Sequence, residues 1–305
     1  MDYDTIRQDP KAANTVYHDW ESETYDEKWS ISFDDRCVDY ARGRFAKVAG
    51  TDGWPYAKAL ELGCGTGFFL LNLKQAGVLD EGHVTDISPG MVEAARRNAA
   101  ELGFEIDGRV ADAETIPYDD DTFDLVVGHA VLHHIPDVER AIREVVRVLK
   151  PGGRFVFAGE PTTIGDFYAR RLGRATWWAT TRLTRLPMLR EAWGRSRQEL
   201  AEQSDAAALE WVVDLHTFDP EQLARTCLRA GAVDVDTRTE ELAAAFFGWP
   251  VRTFEAAVNR ERLGWNWAMF AYRTWQVLSD IDQKVLAKVF PPEVFYNVMV
   301  TGLAP

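Results

Sequence analysis

The chain has 305 residues, 46% of them hydrophobic and 27% charged, with a formal net charge of −14 at pH 7. That is the make-up of an ordinary soluble globular protein, long enough for one large domain or two modest ones. The acidic balance argues against a general nucleic-acid binder, which needs a cationic face to displace counterions, and no run of eighteen apolar residues suits a transmembrane helix.

Residues 1–56 read as an acidic, aromatic, helical N-terminal extension without the apolar segment of a secretory signal. From Ala57 short apolar runs alternate with amphipathic stretches. "AKALEL" (57–62) predicts a buried strand and "GFFLLNLKQAG" (67–77) a helix closed by Gly77. "HVTDI" (83–87) is a second strand, and Ser88 and Pro89 are the N-cap and first position of the next helix. "IDGRVAD", "FDLVVGH" and "RFVFAGE" are further strands, with a helix over "DVERAIREVVRVLK" and a turn at "PGG". Strands alternating with helices mean repeated βαβ units and a doubly wound α/β core over 57–160. The rhythm breaks at an Arg- and Trp-rich helical insertion (161–216) and resumes with a helix and strand (217–240). A second aromatic helical insertion (241–292) precedes a last core strand (293–305).

In a doubly wound sheet, ligands sit outside the carboxyl ends of the strands. Gly63, Gly65 and Gly67 bare the backbone at the first such turn, so its amides can face a ligand. Dinucleotide binders space their third glycine one residue later. Here Glu61 also stands two residues before the first glycine, where a pyrophosphate would be repelled and a cationic ligand held. A nicotinamide oxidoreductase is disfavoured on both counts. Asp86 ends the second strand, where a carboxylate can accept both ribose hydroxyls, and Asp112 follows the third, within reach of an adenine amino group.

With "LELGCGTG", "VTDISPGMVEAAR", "ADAETIPYDDDTFDLVVGHAVLHHI" and "VLKPGGRFVF" in that order, the chain resembles the class I S-adenosylmethionine-dependent methyltransferases of small-molecule or lipid type. The resemblance covers residues 57–160, 217–239 and 293–305. It implies a seven-stranded, mostly parallel sheet with an antiparallel last strand, S-adenosylmethionine as cofactor, and in-line methyl transfer. By position, Glu61, Gly63, Cys64, Gly65 and Gly67 would hold the methionine part and Asp86 the ribose. Ile87 would lie by the adenine, Asp112 and Ala113 at its edge, and His129 near the methionine, with Met91 a further cofactor-binding residue. Tyr25 and Trp29 resemble N-terminal aromatics that close over this cofactor.

For a hydroxyl acceptor the protein must also remove a proton. His133 and His134, just past the fourth strand, are candidate bases, and Glu160, ending the fifth, a candidate substrate-orienting carboxylate. His18 and His216 read as structural. No acid–histidine cluster at metal spacing appears, and Cys37, Cys64 and Cys227 match no zinc pattern and fit a reducing cytoplasm. Absent Asp/Asn-Pro-Pro-aromatic and loop-Cys motifs disfavour nucleic-acid methylation.

Residues 166–198 hold eight arginines against two acids. One reading is a lid helix packed through Tyr168, Leu172, Ala175, Ala179, Leu183 and Leu186, its arginines paired with acids such as those at 119–121. The other is a helix meeting a membrane surface or an anionic substrate. The aromatic insertions point to a bulky hydrophobic acceptor and are expected to roof the site. The alternative to an enzyme is a regulatory or scaffold module that binds S-adenosylmethionine without turnover.

Overall fold

A computed structural model describes residues 9–26, 31–201 and 213–305. Its frame is a seven-stranded sheet: β1 (Tyr56–Leu62), β2 (Leu79–Asp86), β3 (Ile106–Val110), β4 (Phe123–His129), β5 (Leu149–Pro161), β6 (Val233–Glu240) and β7 (Asn297–Leu303). The order is β3-β2-β1-β4-β5-β7-β6. Strands β1 to β5 pair in parallel. At one end of β7, Gly152 N–H donates to Ala304 O, and at the other Thr162 N–H donates to Tyr296 O, so β7 runs antiparallel to β5. The doubly wound architecture is the expected one.

Two strands differ from the sequence reading. Strand β2 starts at Leu79, four residues early, because Leu79 pairs with Tyr56 and lengthens the ladder. The "PGG" turn lies inside β5, where Gly152 takes φ +75° and the β4–β5 register is irregular between Phe123 and Leu125. Glycine absorbs that bulge without a Cβ penalty.

The chain order changes direction between β1 and β4, and this switch point is where doubly wound sheets bind ligands. Helices α1 (Pro10–Glu21) and α2 (Asp35–Ala49) precede the sheet. Helix α3 (Phe68–Gln75) follows β1, α4 (Pro89–Glu101) follows β2, α5 (Val138–Val148) follows β4, and α8 (Pro220–Arg229) leads into β6. Ser88 caps α4 by accepting from Met91 N–H at 3.2 Å, with Pro89 at the first turn. The core is apolar and aromatic: Leu60, Phe69, Leu70, Leu71, Phe123, Phe155 and Phe157 are all fully buried.

The described residues fall into two compact units. One comprises those of 1–160, 212–238 and 299–305; the other, those of 161–211 and 239–298. The second unit holds α6 (Thr163–Leu183), α7 (Pro187–Trp193), α9 (Ala243–Ala257) and α10 (Trp265–Lys284), with α9 packed against both α6 and α10. Leu242 gives α9 no side-chain cap. The buried Asp282 carboxylate does so instead, accepting from the amides of Leu242, Ala243 and Ala244 at 2.8–3.0 Å.

Candidate functional site

A cleft opens in the first unit over the carboxyl ends of β1, β2 and β4. It encloses about 930 Å³ of empty space, its open mouth included, within the range of small-ligand sites. Its wall gathers Tyr25, Glu61, Gly63, Cys64, Gly65, Asp86, Ile87, Asp112, Ala113, His129 and His134 from the expected residues.

The glycine turn is built as its composition demands. Gly63, Gly65 and Gly67 have φ of +59°, +50° and +85°, a region that costs an L-residue about 1–2 kcal/mol. A Cβ on Gly63 would overlap Val131 Cγ2, whereas on Gly65 the nearest atom would be Tyr25 Cε1 at 3.7 Å. Gly65 therefore faces the cleft. Gly67 does not: its Cβ would press on Leu71 and Ala95, so this glycine permits close helix packing.

Glu61 is 1% exposed and accepts from Leu70 N–H, in the first turn of α3, at 3.1 Å. Burial pushes its carboxyl well above the usual carboxylate range, and the nearby Asp86 adds to that. Asp86 is also raised by burial. Its two oxygens accept from Ser88 N–H and Gly65 N–H, each at 2.9 Å, and the Ile87 amide also donates to the carboxylate. Two desolvated acids, with the cleft's lysine, Lys11, engaged by Asp112 and Glu114 instead, suit a cationic ligand.

Several residues in or behind the cleft wall carried no readable spacing. Lys11 on α1 reaches Asp112 at 2.6 Å and Glu114 at 2.7 Å, closing the third-strand edge. Asp26 accepts from Thr66 Oγ1 at 2.5 Å, fixing the segment that carries Tyr25. Arg44 is buried and donates to His129 Nε2 at 3.2 Å, so that nitrogen carries no proton. Ala130 holds φ +53° beside the cleft, strain of a kind that clusters at functional sites. His18, read as structural, lines the cleft with its ring centroid 5.1 Å from that of His134. His216 donates to Ile135 O at 3.0 Å, a structural tie.

Three expected residues lie behind the wall. Met91 is 1% exposed in the core. Glu160, expected to face the cleft, is fully buried and accepts from the amides of Val131, Leu132 and His133 and from His133 Nδ1 at 2.7–3.1 Å. Three convergent amides draw the carboxylate inward. His133 is thereby held out of the cleft wall, and the turn is set so that His134 enters it. Trp29 lies outside the described residues.

His134 donates from Nδ1 to Val213 O at 2.9 Å. Its pKa falls well below the usual histidine value, through burial and then the neighbouring His133 and His18. The imidazole is neutral at pH 7 with Nε2 as its basic nitrogen. Among the described residues the fold also brings Asp214 to His133 and His134, with donor atoms within 4.8 Å of one another. Sequence spacing hides this group of metal-ligand type, because Asp214 lies about eighty residues further along.

Residues 60–157 match the methyltransferase domain family. The chain is 35% identical over 137 residues to a demethylmenaquinone methyltransferase of Symbiobacterium thermophilum, an alignment covering 44% of this chain and 53% of that protein. It is 36% identical over 114 residues to the 27-O-demethylrifamycin SV methyltransferase of Amycolatopsis mediterranei, covering 36% and 38%. Both alignments thus span about half the relative's length or less. A Haemonchus contortus phosphoethanolamine N-methyltransferase solved with phosphomonomethylethanolamine and S-adenosylhomocysteine shares the fold. The TM-score is 0.54 at 14% identity, covering 88% of this chain and 52% of that one. The sheet order, the glycine turn behind Glu61 and this match agree: the chain carries a methyltransferase domain of the class I S-adenosylmethionine-dependent family.

Proposed function

We propose that the chain transfers the methyl group of S-adenosylmethionine to a small, hydrophobic or lipid-like acceptor. The observation that carries this reading is the row of acids along one cleft, Glu61 and Asp86 buried and Asp112 at the edge, behind a left-handed glycine turn. Glu61 and the Gly63–Gly67 turn, with Cys64, hold the methionine part. Asp86 takes the ribose hydroxyls, Ile87 lies against the adenine, and Asp112 and Ala113 read its edge. His129 sits at the methionine end, and Tyr25 closes over Gly65. When bound, the cofactor supplies an electrophilic methyl on a sulfonium.

The chain's own work is alignment, exclusion of water and proton removal. His134 is neutral, and its Nδ1–H is committed to Val213 O, so Nε2 can take the proton of a hydroxyl or ammonium acceptor. His134 would take up the acceptor's proton at Nε2 as the acceptor received the methyl group that a bound cofactor would supply. His133 and Glu160 are positioning residues for the turn. A hydrophobic acceptor is supported by relatives whose names give demethylmenaquinone and a demethylrifamycin as substrates.

The test is incubation with methyl-labelled cofactor and cell extract split into lipid and aqueous fractions. Label should enter the lipid fraction. His134→Ala should lower kcat about 10²- to 10⁴-fold while S-adenosylhomocysteine affinity stays unchanged. Cofactor binding with no transfer to either fraction would restore the non-catalytic module.

A further inference from the structure

Helix α6 follows the sequence reading only in part: Tyr168, Leu172 and Ala179 of the expected packing face are half-buried. Its buried positions are small: Gly165, Ala169, Thr180 and Thr181. Three of its large apolar side chains point outward, with Ile164 45%, Phe167 58% and Trp178 57% exposed. Ala175, Leu183 and Leu186, expected to pack inward, are exposed as well. At about 100° per residue, positions 164, 167, 171, 174, 175, 178 and 182 form one stripe. Leu183 at the end of α6 and Leu186 and Met188 just beyond it are exposed as well, Met188 by 92%.

The charges on this face have one sign. From Thr163 to Arg190 every exposed charged residue is an arginine: Arg171, Arg174, Arg182, Arg185 and Arg190, in a chain of net charge −14. The acid of this stretch, Asp166, is half-buried and bonded to Arg170 at 2.5 Å. Asp120, an expected partner for these arginines, is instead bonded to Arg147 at 2.7 Å. Arg171 lies over the Phe167 ring at 3.6 Å and Arg182 over Trp178 at 4.2 Å. Ring and cation thus sit in one layer, where each can meet its own solvent. No helix among the described residues is long and apolar enough to cross a membrane.

We propose that this face of α6, with the stretch leading into α7, docks on the surface of an anionic lipid bilayer. Phe167, Trp178 and Met188 enter the acyl boundary while the arginines sit among headgroup phosphates. The inference deepens the reading of a lipid-like acceptor by naming where it is met, but docking itself requires no cofactor and no turnover. Its failure would therefore leave the methyltransferase reading standing.

The experiment is co-sedimentation of the full chain with phosphatidylcholine vesicles, with and without phosphatidylglycerol. Binding should need the anionic lipid and weaken with salt. At about fivefold per basic residue, Arg171→Gln, Arg174→Gln, Arg182→Gln and Arg185→Gln together should weaken it a hundredfold or more. Trp178→Glu with Met188→Glu should abolish it, and both variants should keep wild-type circular dichroism because the changed side chains are largely exposed. Equal binding to neutral and anionic vesicles, or binding to neither, would overturn the proposal. So would full displacement by inorganic phosphate, which would indicate an anion pocket, or a concentration-dependent dimer without vesicle affinity, which would mean a second copy covers this face.

Discussion

Replacing Gly63 and Gly65 separately with alanine divides the glycine turn into scaffold and ligand surface. Both residues have positive φ, so each alanine costs about 1–2 kcal/mol in backbone strain. At Gly63 the new Cβ also overlaps Val131 Cγ2, and such overpacking adds about 1–3 kcal/mol. Gly63→Ala should therefore lose about 2–5 kcal/mol, a fall in Tm of very roughly 5–15 °C for a protein of this size. At Gly65 nothing stands closer than Tyr25 Cε1 at 3.7 Å, so Gly65→Ala should lose only the strain term. Its methyl instead enters the space proposed for the cofactor, and affinity for S-adenosylhomocysteine should fall tenfold or more. Thermal melts and isothermal titration of the two variants give the comparison. Equal destabilisation by both, or wild-type affinity in Gly65→Ala, would refute the assignment of Gly65 to the ligand wall.

Glu61 makes stability depend on pH with a definite sign. Burial lets the folded chain hold a proton that the unfolded chain sheds near pH 4.3, so stability without ligand should fall as pH rises from there through the raised folded value. Glu61→Gln should flatten this slope, raise the Tm of the ligand-free protein at pH 7 and weaken cofactor binding tenfold or more; an unchanged slope in denaturation between pH 4 and 8 would count against it. Asp282→Ala removes the carboxylate that serves three α9 amides and should cost at least about 2 kcal/mol. Calorimetry should show the loss, and S-adenosylhomocysteine affinity should survive, because Asp282 belongs to the unit without the cleft.

Strand, turn and cap chemistry made the core legible before the fold was known. Alternating apolar runs, the three glycines, Ser88 with Pro89, and the acids ending β2 and following β3 all act over short sequence distances. Lys11 and His18, which line the cleft, and Arg44, which holds His129 from behind it, were not legible, because they come from helices that precede the sheet, and no periodicity records where such a helix docks. Glu160 was misplaced because strand polarity shows which end of the sheet a residue occupies but not that three amides will turn it inward. On α6, small residues can be buried as readily as large ones when a neighbouring helix comes close, so of the stripe taken as the packing face Tyr168, Leu172 and Ala179 are half-buried while Ala175, Leu183 and Leu186 are exposed. Asp214 joins His133 and His134 only through tertiary contact.

The most direct measurement is titration of the purified chain with S-adenosylhomocysteine and, in parallel, with NADH, in buffers of different ionisation enthalpy. One S-adenosylhomocysteine should bind per chain, tenfold or more weakly in Glu61→Gln and Gly65→Ala, and NADH should give no heat. Saturable uptake of NADH with none of the sulfur ligand would contradict the cofactor assignment.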